Sequence, residues 1–171
     1  MEYILNMPPN SISNPSLMSR ESSNCVRAGF YKSPRPFNSF THRNGVIHGD
    51  LTSSNIFLDS NLDPKIADFA GSSLDQSPLL LESPASYCYP GSSLSVQGDI
   101  FAFGSLVYEI MTGESPYEGK DGDEVRALFL KNIFPDTTQL GPLGHIIDKC
   151  WRGEYGCCDG LLMNPNCKSR D

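Results

Sequence analysis

Residues 45–73 read GVIHGDLTSSNIFLDSNLDPKIADFAGSS, and this stretch decides the fold. A short apolar run, Val46-Ile47, leads into His48-Gly49-Asp50. Two strand candidates follow, Ile56 to Leu58 and Lys65 to Ala67. The turn formers Asp59, Ser60, Asn61, Asp63 and Pro64 separate them, so the pattern predicts a β-hairpin. Asp50 and Asn55 then belong to a loop ahead of the hairpin, and Asp68 follows its return strand. Ordinary turn chemistry accounts for Asp59 and Asp63. It does not account for Asp50, Asn55 and Asp68 in that order.

Working outward, a polar, Ser-rich loop is expected from Gly71 to about Ser95. A helix is predicted from about Val96 to Thr112, with Gly113 placed as a C-cap glycine. Apolar residues surround that helix: Ile100, Phe101, Phe103, Leu106, Val107 and Ile110 among them. Such a helix is central rather than superficial. A second helix is predicted from Asp123 to about Asn132, its acidic start and Lys131 suiting the helix dipole. A third is predicted around Leu143 to Trp151. Upstream, Phe40 to Gly45 (FTHRNG) reads as the end of a helix entering the loop. The expected fold class is α+β, mostly helical: a short β-hairpin beside a bundle around one central buried helix. Residues 1–40 are rich in Ser, Asn and Pro and are expected to be disordered. Residues 41–152 form the organised domain, and 153–171 a frayed tail.

A chain of 171 residues is long enough for one domain with a real core. Its formal net charge of -7 repels a phosphate backbone, so nucleic acid is not an expected partner. The six cysteines fit no paired C-x-x-C zinc pattern and read as free thiols. The start of the chain lacks a basic segment followed by an apolar run, so no signal peptide is expected. The longest apolar stretch, Ile100 to Met111, is too short to span a bilayer and contains Glu109. The expectation is a cytoplasmic or nuclear protein with no membrane partner.

Two carboxylates and an amide at this spacing suit phosphoryl transfer. That reaction needs an oriented acceptor hydroxyl and hard metal ions to neutralise charge on the phosphates. Oxygen ligands suit Mg²⁺. His48-Gly49-Asp50-Leu51-Thr52-Ser53-Ser54-Asn55 resembles the catalytic loop H-R-D-L-x-x-x-N of eukaryotic-type protein kinases. Asp68-Phe69-Ala70 resembles their D-F-G metal motif, and Ser95 to Tyr117 resembles the central helix of their C-terminal lobe. The resemblance implies a kinase-like C-lobe using ATP and Mg²⁺. It implies Asp50 as catalytic base and Asn55 and Asp68 as magnesium and cofactor ligands. It also implies His48 packed with Phe69 beneath the site, and Asp99 as the buried anchor of the loop.

The pattern departs from the family in places. Gly49 replaces the Arg that pairs with an activation-loop phosphate, so modification of Ser72, Ser73, Ser77 or Ser83 is not expected to activate. Ala70 replaces a Gly, and Gly91 stands where a Glu is usual. The first 44 residues contain no G-x-G-x-x-G and no strand lysine of the V-A-I-K kind. An N-terminal lobe is therefore expected to be missing, leaving an apolar face for a protein substrate or partner. Three alternatives stay open: a non-catalytic binding module, a truncated gene product, and a small-molecule phosphotransferase of the aminoglycoside or choline kinase type. Ser95 to Tyr117 favours the protein-kinase branch over the last.

Overall fold

A computed structural model describes residues 39–60, 64–80 and 83–156. Helix α1 (Ser39–Arg43) leads to strand β1 (Val46–Ile47), then β2 (Ile56–Leu58), β3 (Pro64–Ile66) and β4 (Ser73–Leu74). Helices α2 (Val96–Thr112), α3 (Gly122–Leu130) and α4 (Gly141–Trp151) complete the order. Short 3₁₀ turns lie at Ser53–Asn55, Ala85–Tyr87 and Thr138–Leu140.

Helix α2 is the core of the domain, as its all-round apolar surface requires. Ile100, Phe101 and Leu106 are fully buried on it. Its start is fixed by Ser95, whose Oγ accepts from the Gly98 amide at 2.9 Å. Its end is fixed by Gly113 at φ 88°, a left-handed conformation that favours glycine. Helix α4 lies against α2 at Gly104, where an added Cβ would come within 2.8 Å of Cys150 Cβ. Trp151 Nε1 donates to Ser105 Oγ at 3.1 Å across the same contact. On α3, Phe129 packs edge-on to Phe101, ring centres 5.0 Å apart.

The hairpin pairs β2 and β3 antiparallel, with Ile56 opposite Ile66 and Leu58 opposite Pro64. The return strand begins one residue earlier than predicted, at Pro64 rather than Lys65. Proline is tolerated at the first position of an edge strand, where no ladder N–H is required. Lys65 reaches back to Asp59 at 3.2 Å.

The expected Ser-rich loop holds more structure than its composition suggests. Ser73–Leu74 forms β4, pairing antiparallel with β1 so that Ile47 faces Ser73. Backbone groups of a half-buried apolar dipeptide need partners, and β4 supplies them. Asp75 N closes the ribbon on Gly45 O at 3.1 Å. Tyr87 of the later 3₁₀ turn is 5% exposed and joins the core. Ser73 is wholly buried, which removes it from the hydroxyls open to modification.

Disorder expected for residues 1–40 falls outside the described residues, except that α1 begins at Ser39. Of the expected tail, residues 157–171 also lie outside them. Gly153–Gly156 continue the fold: Glu154 N bonds Lys149 O at 3.0 Å, and Tyr155 packs on the core. Among the described residues, no helix is long and apolar enough to cross a membrane. Cys88 and Cys150 are free thiols; the other four cysteines lie outside the described residues.

Candidate active site

The loop between β1 and β2 is organised from below by one carboxylate. Asp99, in the first turn of α2, is 1% exposed. Its Oδ2 accepts from the His48 amide at 2.8 Å and its Oδ1 from the Gly49 amide at 2.9 Å. His42 Nε2 meets the same Oδ2 at 2.8 Å, which ties α1 to the anchor as well. A buried carboxylate needs such donors to offset its lost hydration.

His48 links this loop to the end of the hairpin. Its Nδ1 accepts from the Asp50 amide at 3.3 Å, and its Nε2 donates to Ala67 O at 3.0 Å. Those roles assign the Nε2–H tautomer. Phe69 then packs edge-on to the imidazole, ring centres 4.8 Å apart. The packing expected of His48 and Phe69 is present, with Phe69 40% exposed on its other side.

Asn55 holds Asp50 directly. Its Nδ2 donates to Asp50 O at 2.8 Å and to Asp50 Oδ2 at 3.0 Å. With the nitrogen spent on Asp50, the amide oxygen bears no hydrogen bond from the described residues. Ala67 N bonds Asn55 O at 2.9 Å, extending the hairpin ladder by one step. That step sets Asp68, the next residue, beside the loop. Asp68 is exposed, in the left-handed region at φ 60°. Its Oδ1 accepts only a long bond from Ala70 N, 3.4 Å. Ala70 itself is not among the positive-φ residues, so the methyl in place of glycine's hydrogen is accommodated without backbone strain.

At the two family positions where glycine stands in for a charged residue, other side chains fill the space. Gly49 has φ 74°, and Leu79 occupies the space its Cβ would take. Tyr89 occupies the corresponding space at Gly91. Two serines complete the join: Ser72 Oγ donates to His48 O at 3.2 Å and Ser83 Oγ to Gly49 O at 2.7 Å.

A second buried cluster escaped the sequence reading. Glu109 of α2, 7% exposed, accepts from Ser53 Oγ at 3.0 Å and from the Tyr87 hydroxyl. Burial raises its carboxyl pKa above the usual range, partly opposed by the Ser53 bond.

Residues 38–156 match the model of the protein tyrosine and serine/threonine kinase family. The chain belongs to this kinase family. A probable serine/threonine-protein kinase of Dictyostelium discoideum is 33% identical over 123 residues, covering 66% of this chain and 13% of that protein. The serine/threonine-protein kinase PknB of Mycobacterium tuberculosis is 31% identical over 93 residues, covering 47% of this chain and 15% of its own length. A dual specificity protein kinase of D. discoideum is 33% identical over 123 residues, 66% of this chain and 9% of that protein. The chain thus spans between 9% and 15% of the length of these kinase relatives. The kinase match covers the α+β region described above, with its short two-stranded ribbons and central helix.

Proposed function

We propose that this kinase-family domain transfers the γ-phosphoryl group of ATP to a protein hydroxyl, with Asp50 as the base. The observation that carries the reading is the grip of Asn55 on both the carbonyl and the carboxylate of Asp50. A general base must be aimed before it can act. Asp50 is aimed twice: Asn55 fixes its side chain, and Asp99 fixes the two residues before it. The acceptor hydroxyl would lie against the free side of the Asp50 carboxylate and give up its proton there.

The residues present fit Mg²⁺. The Asn55 amide oxygen is turned away from Asp50, and the Asp68 carboxylate is exposed with one long bond. Both are hard oxygen donors of the kind Mg²⁺ takes while keeping several waters. When bound, the ion would neutralise charge on the phosphates of the nucleotide. Asn55 and Asp68 would hold it, while His48 and Phe69 brace the backbone on either side of Asp68.

Labelled ATP tests the reading on the chain and its Asp50→Asn variant. The expected result is a drop in phosphate transfer of about 10²-fold or more. Equal transfer by both would remove Asp50 from the role. The acceptor type is left to the same assay, since relatives named for serine/threonine and for dual specificity both match.

Exposed Phe69, Leu74 and Leu80 favour a second reading, a protein-binding face beside the site. On that reading a partner covers Phe69, with or without catalysis. Native mass spectrometry of the purified chain tests it; a stable monomer with no bound partner would end it.

A further inference from the structure

Among the described residues, the stretch 71–80 and Ser83 are joined to the catalytic loop by hydroxyls and apolar contact. Leu79 fills the space beside Gly49, and Ser83 Oγ donates to Gly49 O at 2.7 Å. Gly49 is held on its other face, where its N–H donates to Asp99 Oδ1 at 2.9 Å. One peptide-long stretch is thus clamped between a buried carboxylate below and a serine hydroxyl above. The residue after it is Asp50.

We propose that Ser83 is a modification site whose free hydroxyl latches this loop and whose phosphorylation unlatches it. The donor is what matters. A phosphoserine has lost the O–H and carries close to two negative charges and three acceptor oxygens. Placed against the Gly49 carbonyl, it offers an acceptor to an acceptor, one residue before Asp50 in the chain. The loop supplies no cation to receive it: His48-Gly49-Asp50 carries no Arg, and both His48 nitrogens are committed to Asp50 N and Ala67 O. Phosphate at this position therefore loosens the loop instead of ordering it.

The site is reachable and has a recognisable context. Ser83 is half-buried, with exposed Leu80 and Pro84 near it in the chain. Ser83-Pro84 is the acceptor pair that a proline-directed protein kinase takes. In the step, Ser83 Oγ attacks the γ-phosphorus of ATP bound to that separate enzyme. The Oγ–P bond forms, the bond to the β–γ bridging oxygen breaks, ADP leaves, and the hydroxyl proton passes to the modifying enzyme's base.

The latch rests on geometry alone; only its effect on activity rests on the reading of Asp50 as base. Hydrogen exchange with mass spectrometry on the full chain keeps the two apart. Ser83→Ala and the Ser83-phosphorylated chain are expected to exchange the amides of residues 46–52 about fivefold faster, the loss of one part-buried hydrogen bond. Ser83→Thr retains the donor and the protection. Ser77→Ala serves as a control, since Ser77 Oγ accepts from Leu74 N in the β4 turn and not from the loop. Should Ser83→Ala fail to fold, phosphate added to the folded wild type still gives the answer. Unchanged exchange in residues 46–52 of the phosphorylated chain overturns the latch. Treatment with a proline-directed kinase and ATP that marks Ser77 but leaves Ser83 bare overturns the site.

Discussion

Replacing Asp99 with Ala strands the buried amide of His48 and the part-buried amide of Gly49. Two donors without partners, one buried and one part-buried, set an expected loss of about 3 kcal/mol, read from urea unfolding. Glu109 makes a different prediction. Burial raises its folded pKa above the ordinary 4.5, so the folded chain binds more protons than the unfolded one above that pH. Stability contributed by the protonated form is present below about pH 4.5 and is lost as pH rises through the raised value. Glu109→Gln keeps a neutral group of the same shape between Ser53 and Tyr87, and is expected to flatten that fall in denaturant midpoints measured across the range. The two residues also differ in how far the sequence announced them. Asp50, Asn55, Asp68 and Asp99 were legible because a loop, a hairpin and a helix start give each a place in a fixed order. Glu109 was not. It stands inside an apolar helix with no periodic mark, and its partners lie 22 and 56 residues away.

At the scale of elements, the long helix was readable to its ends because its caps are written in residue type. Ser95 and Gly113 each satisfy a terminal need that apolar periodicity alone leaves open. Gly113→Ala isolates the backbone part of this. An added Cβ there meets nothing within 4 Å, so only the left-handed φ of 88° is penalised. The expected cost is about 1 kcal/mol, seen as a lower thermal midpoint with the circular dichroism spectrum unchanged. Strand β4 was not readable for the opposite reason. Two residues have no period, and Ser73–Leu74 is a strand only because Val46–Ile47 lies opposite. Likewise the hairpin's existence was legible, while the start of its return strand shifted by one residue to Pro64, a boundary that pairing rather than composition decides.

For the whole molecule, the joint between α2 and α4 is the packing on which the core depends. Gly104→Ala sets two effects against each other. Helix propensity favours alanine by about 1 kcal/mol. The new methyl would stand 2.8 Å from Cys150 Cβ and 3.2 Å from the Trp151 ring. Crowding of this kind in a packed core costs about 1–3 kcal/mol, so net destabilisation in urea unfolding is the expected sign. The sequence disclosed that α2 is central; it did not disclose which face meets α4, because apolar residues surround the helix.

The Asp99 anchor has a consequence for how the protein comes into being. His48 and its carboxylate partner are 51 positions apart in the chain. Ribosomes add about 5–20 residues per second, so a nascent polypeptide emerges with its His48 turn several seconds before the group that shapes it. Until α2 arrives, those amides face water and the turn leading to Asp50 has no fixed shape. An interrupted translation product ending short of that helix would therefore leave the His48 turn unshaped, a dependence set by the order of the letters.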